Sequence, residues 1–318
     1  MAQKNNLTIR ALSIIGGTLT AIFFFGFLVQ ASLLQTEASR LLIGSVLILI
    51  TLSLNRIITA SFLDAMNITL YIAGCSLTTY GLSNNTDILF IILAGISTVT
   101  FWISRGFILP FLSVILFIIS FFGEVLHLSS SLQFMQLAII PIIAVFLLAN
   151  LFETEILTYL GEKSVTKYKP FHSGLFVSCL FLIAGLSINL WISNPYWILS
   201  IFIWIGLLIT IQQIMVTMEV TRIANQAGVL FLCIIICLPT LFAPYLSGSL
   251  LLILICFQYG YKKECAAALL LFIYAISKYY YDLNISLLLK SATLFSIGIA
   301  FLLAWYYFTQ KRTKHEKI

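Results

Sequence analysis

Long apolar segments with charges almost confined to their ends dominate this sequence. Of its 318 residues, 61% are hydrophobic and only 9% are charged, whereas a soluble domain carries about 25% charged residues. The mean hydropathy is +1.09. Too few polar side chains remain to cover a water-facing surface, so lipid is predicted to be the solvent for most of the chain. The sequence therefore predicts an integral membrane protein with the lipid bilayer as its first partner.

The apolar segments favour helices over a transmembrane barrel. A membrane-spanning helix needs about 20 apolar residues, whereas barrel strands alternate over about 10 residues. Residues 41–54 and 250–257 do not alternate. We predict an all-α polytopic transmembrane helix bundle of about 12 spans, with a range of about 10–12. The predicted spans are residues 12–34, 41–54, 65–82, 88–104, 106–123, 132–152, 171–192, 195–218, 227–245, 247–261, 265–281 and 286–308.

Some of these spans are short or interrupted. Residues 41–54, 247–261 and 265–281 are short enough to be re-entrant, so whether they cross fully stays open. The span at 227–245 contains Pro239 and Pro244. Each proline removes a backbone hydrogen bond, so a kink or break is predicted near Leu238.

The longest polar connection, residues 153–170, falls at the midpoint of the chain and has enough length for a short surface helix. We predict one integral membrane domain, 1–318, with possible halves 1–152 and 171–308. Six predicted spans on each side are typical of a duplicated transporter. No matching residues occur at corresponding positions, so a repeat is only a hypothesis. Residues 309–318 are predicted to form a basic cytoplasmic tail.

The basic residues predict the orientation. With twelve spans, Arg40 and Lys278 fall on one side and Lys290 lies within the last span, which leaves the other fourteen of the seventeen Lys and Arg residues on the opposite side. Basic residues favour the cytoplasmic side, so both termini are predicted to be cytoplasmic. This asymmetry also explains the net charge of +6 without a nucleic-acid partner.

Several classes of site are not indicated. The six cysteines lie in or beside apolar runs, where cysteine behaves as a small buried hydrophobe, so no disulfide framework is predicted. The three histidines do not cluster, and no Cys/His spacing suggests zinc. Phosphate-loop, nucleophile-elbow and zinc-protease motifs do not occur. No cofactor, metal or catalytic residue is predicted, and the protein is expected not to be an enzyme.

The most polar membrane-depth stretch supplies the candidate functional residues Lys278, Tyr281, Asp282, Lys290 and Ser291. Lys278 and Asp282 are four residues apart and can pair on a helix, while Asp282 could instead meet Lys290 across a turn. Ionisable groups at membrane depth often mark ion or substrate paths. The structural alternative, which we favour, is an aromatic belt of three tyrosines with lysines reaching the interface.

Other polar residues carry weaker signals. Glu124 and His127, three residues apart, could relay protons, but a wet loop explains them more simply. His172 is expected to be an interfacial residue rather than a ligand. Amides in apolar runs are expected to bond between helices, with a polar cavity lining as the alternative. These amides are Asn150, Asn189, Gln212, Gln213 and Gln258.

The last fifty or so residues resemble a known signature. It is carried by Gly260-Tyr-Lys-Lys263, Tyr279-Tyr-Tyr-Asp-Leu283, Leu287-Leu288, Lys290-Ser291 and Gly298. The chain resembles an uncharacterised bacterial family of polytopic membrane proteins, domain of unknown function 4401.

That resemblance implies a bacterial inner-membrane protein with no established activity. It also implies a membrane-protein partner carrying a Gly-Asp-Tyr motif, because family members are often encoded beside or fused to such proteins. The residues that recur in the family pattern correspond to Tyr281, Asp282, Leu283, Lys290 and Ser291.

Three functions are compatible with these observations. The favoured one is a non-enzymatic component of a membrane assembly, because catalytic motifs are absent from the sequence and the loops are short. The alternative is a secondary transporter or flippase, with Asp282 and Lys290 near the pathway and the break between Pro239 and Pro244 as a moving element. A polymerising membrane enzyme ranks last, because such enzymes carry a sizeable outer loop and the longest polar loop here is predicted inside.

Overall fold

The computed structural model describes residues 7–31, 33–57, 61–84, 86–128, 132–160, 162–187, 197–218, 223–282, 295 and 299. These residues form helices and no strands, which confirms the all-α prediction for this part of the chain. The helices are α1 Leu7–Gln30, α2 Glu37–Ile57, α3 Ser61–Gly81, α4 Thr86–Ile103, α5 Ile108–Leu128, α6 Leu132–Leu151, α7 Glu153–Leu160, α8 Glu162–Ser187, α9 Trp197–Thr217, α10 Ile223–Cys237, α11 Pro244–Gln258 and α12 Lys262–Asp282.

Eleven of these helices overlap the first eleven predicted spans, and α7 is the exception. Helix α7 has 8 residues, a length of about 12 Å that is too short to cross a bilayer. It lies in the predicted polar connection 153–170, where a short helix was expected. Of the predicted twelfth span, 286–308, only residues 295 and 299 are described, so this span stays a prediction.

Two of the three short predicted spans, 41–54 and 265–281, belong to longer helices in the structure. Helices α2 and α12 each contain 21 residues, longer than predicted because charged residues at both ends continue the helix. Helix α11 has 15 residues, or about 22 Å. Among the described residues, four segments are both long and apolar enough to cross a membrane: Glu37–Arg56, Ile108–Leu128, Val165–Ser187 and Trp197–Thr217. The apolar helices are compatible with a membrane location.

The predicted break near Leu238 is confirmed. Helix α10 ends at Cys237, a 3₁₀ segment occupies Leu238–Phe242, and α11 begins at Pro244. The predicted ninth span is therefore wrong in its boundary, because it continued to residue 245. Two side chains of α9 bond to this 3₁₀ segment, one to its backbone and one to a side chain. Ser200 Oγ donates to the Leu241 carbonyl at 2.7 Å, and Trp204 Nε1 donates to Thr240 Oγ1 at 3.0 Å.

Contacts at both ends of α9 show that α9 and α11 run parallel. Ser200, near the beginning of α9, contacts the segment just before α11, and Gln213, near the end of α9, bonds to Gln258 at the end of α11. Helix α8 is antiparallel to α11, since Ile183 near its end packs on Gly248 near the beginning of α11.

One end of the bundle, which we call the basic end, collects most of the described cations. It contains the last residues of α2, α4, α6, α9 and α11 and the first residues of α8 and α12. Side-chain contacts link these termini directly: Asn55 to Arg105, Lys167 to Phe101, His172 to Asn150 and to Tyr261. The cations placed there are Arg56, Arg105, Lys167, Lys169, Lys262 and Lys263. Arg40 and Lys278 lie at the opposite end.

The largest hydrophobic cluster of the described residues runs from Val114 in α5 to Ala275 in α12. It joins residues on both sides of the chain midpoint. The N-terminal helices form smaller clusters, and α2 and α3 approach unusually closely. A Cβ atom on Gly44 would lie 3.0 Å from the Gly74 carbonyl oxygen, so this helix pair depends on small residues, as many membrane helix pairs do.

Candidate functional site

The described part of the predicted candidate stretch forms the last turn of α12. The helix continues to Asp282, so Lys278 and Asp282 lie one turn apart on its backbone. Tyr281 is 77% exposed, and its ring meets the ring of Tyr280 edge-on at 5.9 Å. Lys290 and Ser291 lie outside the described residues. The pairing of Asp282 with either lysine stays a prediction.

A different set of polar residues comes together at the basic end. We call it the His172 cluster, and it consists of Asn150, Glu153, Tyr168, His172 and Tyr261 from α6, α7, α8 and the turn before α12. His172 and Asn150 are only 4% and 2% exposed. Buried polar groups need partners, and the contacts within this cluster supply them.

The central contact joins α8 to α6. Asn150 Nδ2 donates to the Phe146 carbonyl at 2.7 Å, and Asn150 Oδ1 lies 2.9 Å from His172 Nε2. Because the amide oxygen can only accept, Nε2 of His172 must carry the hydrogen. This assignment follows from the hydrogen-bond pattern. His172 therefore extends a chain of hydrogen bonds that ends on the α6 backbone.

Aromatic rings enclose His172. Its ring centroid lies 4.7 Å from that of Tyr261, 5.4 Å from that of Phe146 and 5.9 Å from that of Tyr168. These three rings exclude water from the imidazole, which is only 4% exposed. The hydroxyl of Tyr168 donates to the Ala149 carbonyl at 2.7 Å and fixes the cage to α6.

A glycine-dependent turn places Tyr261 in this cage. Gly260 has a φ of 72°, a left-handed conformation that glycine adopts without a Cβ penalty. The amide of Tyr261 bonds to the Cys256 carbonyl at 3.0 Å, and the amide of Gly260 bonds to the Phe257 carbonyl at 3.3 Å. These two bonds form a Schellman motif, which ends α11 and reverses the chain into α12.

Tyr261 in turn contacts an acid. Its hydroxyl donates to Glu153 Oε1 at 3.0 Å. Burial raises the pKa of Tyr261 above its ordinary value, and the nearby charge of Glu153 raises that pKa further. The phenol therefore stays protonated and keeps donating at any physiological pH. The cluster connects α6, α7, α8 and α11 through one set of contacts.

A second polar contact lies between the ends of α9 and α11. Gln258 Nε2 donates to Gln213 Oε1 at 3.0 Å. The remaining Gln258 oxygen is buried and has no hydrogen-bond partner among the described residues. The prediction that apolar-run amides bond between helices is confirmed for Asn150, Gln213 and Gln258. Asn189 lies outside the described residues.

The arrangement is chemically simple. Within the described ranges, no group of three His, Cys, Asp or Glu residues could hold a metal ion. The cluster can hold the surrounding helices together through these contacts. His172 was predicted to be interfacial, but its side chain is buried between helices because Tyr168, Phe146 and Tyr261 cover it. The signal that sequence reasoning missed was Tyr168 and His172 one turn apart on the same helix.

These features define a class: helical proteins with apolar helices suited to a membrane and polar contacts collected at one end of the bundle. The chain belongs to the family described as Domain of unknown function (DUF4401), whose family model matches residues 6–311. This match confirms the resemblance drawn from the C-terminal motifs. No curated protein and no solved structure matches the chain.

Proposed function

We propose that the protein is a multi-pass bacterial inner-membrane protein of about 12 spans, with both termini cytoplasmic, that acts as a non-enzymatic component of a membrane assembly. One observation carries the assembly role: α1 presents a glycine notch on its outward face. Gly26 has no atom of the described residues within 4 Å of a built Cβ position. Phe23 and Phe27, on either side of it, are 73% and 64% exposed.

The other helix glycines support this interpretation. Seven of them lie at close helix contacts, where a built Cβ would come within about 3 Å of a neighbouring helix: Gly44, Gly74, Gly81, Gly123, Gly174, Gly206 and Gly248. This protein therefore uses glycine where helices approach closely. In lipid, small residues let helix backbones approach and pack. The glycine notch on α1, between two exposed phenylalanines, is likewise suited to close helix packing. No helix among the described residues packs against it.

The proposed occupant of the notch is a helix of another membrane protein, one that carries a Gly-Asp-Tyr motif. A partner of this type is what the family resemblance implies. Association would bury the two phenylalanine rings against the partner helix, and the notch would fix its crossing point. No catalytic step is assigned to the protein under this proposal.

The test is co-purification from native membranes in mild detergent. Gly26→Leu fills the notch and is expected to release the partner, identified by mass spectrometry through its Gly-Asp-Tyr motif. Gly228→Leu is the matched control, because Gly228 on α10 also faces open space. It adds the same volume and is expected to retain the partner. Retention of the partner by folded Gly26→Leu protein would exclude α1 as the docking helix, and purification of the wild type without any such partner would exclude the assembly role.

Orientation has its own test. In a variant without native cysteines, Asp282→Cys is expected to react with a membrane-impermeant reagent added to intact spheroplasts. Lys262→Cys, at the basic end, is expected to react only after permeabilisation. Labelling of both positions in intact cells would overturn the proposed topology.

A transporter or flippase is the second candidate, and the 3₁₀ segment favours it. Interrupted helices form the substrate sites of many transporters, and here the interruption is held by two side chains of α9. Asp282 and Lys290 are the proposed pathway residues. The combined Asp282→Asn and Lys290→Gln variant is expected to abolish transport of a solute that the wild type carries in proteoliposomes. Unchanged transport of every candidate solute would reject this alternative.

A further inference from the structure

An apolar cavity of about 330 Å³ lies between α4, α5, α6 and α8. Helix α5 lines it from Ser113 to Phe121, which corresponds to a length of about 12 Å at about 1.5 Å per residue. Trp102 and Phe171 line it near the basic end, while Pro141 lines it deeper in the bundle. The volume falls at the lower limit of small-ligand sites, and the shape is elongated along the helices.

The few hydroxyl groups in the cavity wall have no hydrogen left to donate to a polar ligand. Ser97, Thr98 and Ser113 donate their hydroxyl hydrogens to carbonyls of their own helices at 2.7–2.8 Å. These groups are already satisfied, so they present mainly methyl and methylene surface to the cavity. A hydrocarbon chain would cost these residues no hydrogen bond, whereas a sugar or an amino acid would find few partners there.

A cation, Lys167, lies beside the aromatic rim of the cavity. Lys167 lies one turn before Phe171 on α8, and its ammonium group lies 5.5 Å and 5.6 Å from the ring centroids of Phe101 and Trp102. It donates to the Phe101 carbonyl at 2.8 Å and also to the Trp102 carbonyl. No carboxylate among the described residues pairs with it. An ammonium group has three hydrogens, so one remains for an anionic group at the rim.

We propose that this cavity binds one acyl chain of an anionic phospholipid, with the lipid phosphate beside Lys167. The cavity supplies an apolar channel for a single chain, and the cation lies at the end of the bundle where a headgroup would lie. Charge complementarity selects an anionic lipid over a zwitterionic one. The inference rests on the proposed membrane location, but it is independent of any partner at Gly26.

The experiment uses the full-length protein reconstituted in vesicles that contain a phospholipid with a photoactivatable group on its acyl chain. Two probes are compared, one with an anionic phosphatidylglycerol headgroup and one with a zwitterionic phosphatidylcholine headgroup. Cross-linked peptides are identified by mass spectrometry. The wild type is expected to be labelled on α4 and α5 within residues 97–121, about fivefold more by the anionic probe, as one lysine near anionic lipid predicts.

Two pairs of variants separate the chain from the headgroup. Val145→Phe fills the cavity from α6 and is expected to abolish this labelling by both probes, whereas Val216→Phe, on an exposed part of α9, is expected to leave it unchanged. Lys167→Gln is expected to make labelling by the two probes equal. Lys167→Arg is expected to keep the stronger labelling by the anionic probe. The ratio of labelling by the two probes does not depend on the amount of folded protein, so a variant that folds less well can still be compared with the wild type.

Three results would overturn the proposal: equal labelling of the wild type by both probes, unchanged labelling of Val145→Phe, or cross-links that show a protein segment in the cavity. Labelling that follows the expected pattern while Gly26→Leu retains its partner would uphold the lipid site and reject only the proposed docking helix.

Discussion

The Nε2 atom of His172 lies 2.9 Å from the Oδ1 atom of Asn150, and this contact joins α8 to α6 inside the basic end of the bundle. The orientation of the Asn150 amide is fixed by its second bond, to the Phe146 carbonyl. The histidine therefore has a defined donor nitrogen and a defined acceptor. Both side chains are almost fully buried. If one is removed, water cannot reach the other to replace the lost hydrogen bond.

We expect Asn150→Leu to lower the free energy of unfolding by about 1–3 kcal/mol, because the His172 donor would be buried without an acceptor. His172→Phe removes that donor, so the double variant is expected to be less destabilised than the sum of the two single variants. The coupling should be about 0.6–1.7 kcal/mol, the range for bonds between membrane helices. Unfolding in mixed micelles, followed by circular dichroism, measures it. If the destabilisation of the double variant equalled the sum of the two single variants, the contact between His172 and Asn150 would contribute nothing to stability.

Alkaline pH is expected to destabilise the protein through Tyr261. Burial, followed by the charge of Glu153, raises its pKa in the folded state. The neutral phenol is favoured by folding, so this contribution is complete below the unfolded-state pKa of about 10 and is lost as the pH rises through the higher folded-state pKa. Unfolding free energy measured against pH should fall more steeply above pH 10 in the wild type than in Tyr261→Phe.

The control for this measurement is Tyr281→Phe, which removes an exposed hydroxyl from α12. Its stability curve should follow that of the wild type. At neutral pH, Tyr261→Phe itself should cost about 1 kcal/mol, the value of one hydrogen bond. Parallel curves for the wild type and Tyr261→Phe above pH 10 would contradict the role given to this tyrosine.

Two glycines in the neighbouring helices α4 and α5 should respond oppositely to the same change. A Cβ atom on Gly123 would overlap the ring of Phe90, while one on Gly95 would meet no atom of the described residues. Gly123→Ala is therefore expected to cost about 1–3 kcal/mol through overpacking. Gly95→Ala is expected to stabilise the protein by about 0.5–1 kcal/mol, because alanine favours the helix. Thermal unfolding of the two purified variants decides the sign, and equal shifts would contradict the packing at Gly123.

The 3₁₀ segment Leu238–Phe242 should loosen when its side-chain support is removed. Ser200→Ala leaves the Leu241 carbonyl without its donor at a buried site, which costs about 1–3 kcal/mol. Hydrogen exchange of the amides at 238–243 should become faster. Ser277→Ala is the control, because that hydroxyl bonds only within its own helix. Unchanged exchange in Ser200→Ala would mean that the segment is held by other contacts.

Hydropathy predicted the helical segments because length and apolar content are local properties of the sequence. The break at Leu238 was equally local, since Pro239 cannot donate a backbone hydrogen bond. The limits of α2 were not predictable in this way. Arg40 was placed outside the second span, but its guanidinium donates to the carbonyls of Leu34 and Gln35 and lies 4.3 Å from the Tyr80 ring centroid. These contacts let the helix include a charge.

The His172 cluster was not predictable because its members are distant along the chain. Glu153 and Tyr261 are separated by 108 positions, and only the packing of α6, α8 and α11 brings them together. Gly260 was a usable local signal, because a glycine directly after an apolar run marks a helix end and fixes where the next residue projects. The amides of Asn150 and Gln258 were correctly expected to bond between helices, but their partners depended on helix order.

The parallel arrangement of α9 and α11 also sets the order in which this part of the protein can be completed. Ser200 and its acceptor at Leu241 are 41 positions apart. A ribosome adding about 5–20 residues per second needs about 2–8 s to supply that acceptor after Ser200 has been made. During this interval α9 exists without its main neighbour, and the donors of Ser200 and Trp204 must be satisfied elsewhere. Ser200 and Trp204 therefore reach their native partners only after residues 240 and 241 have been made.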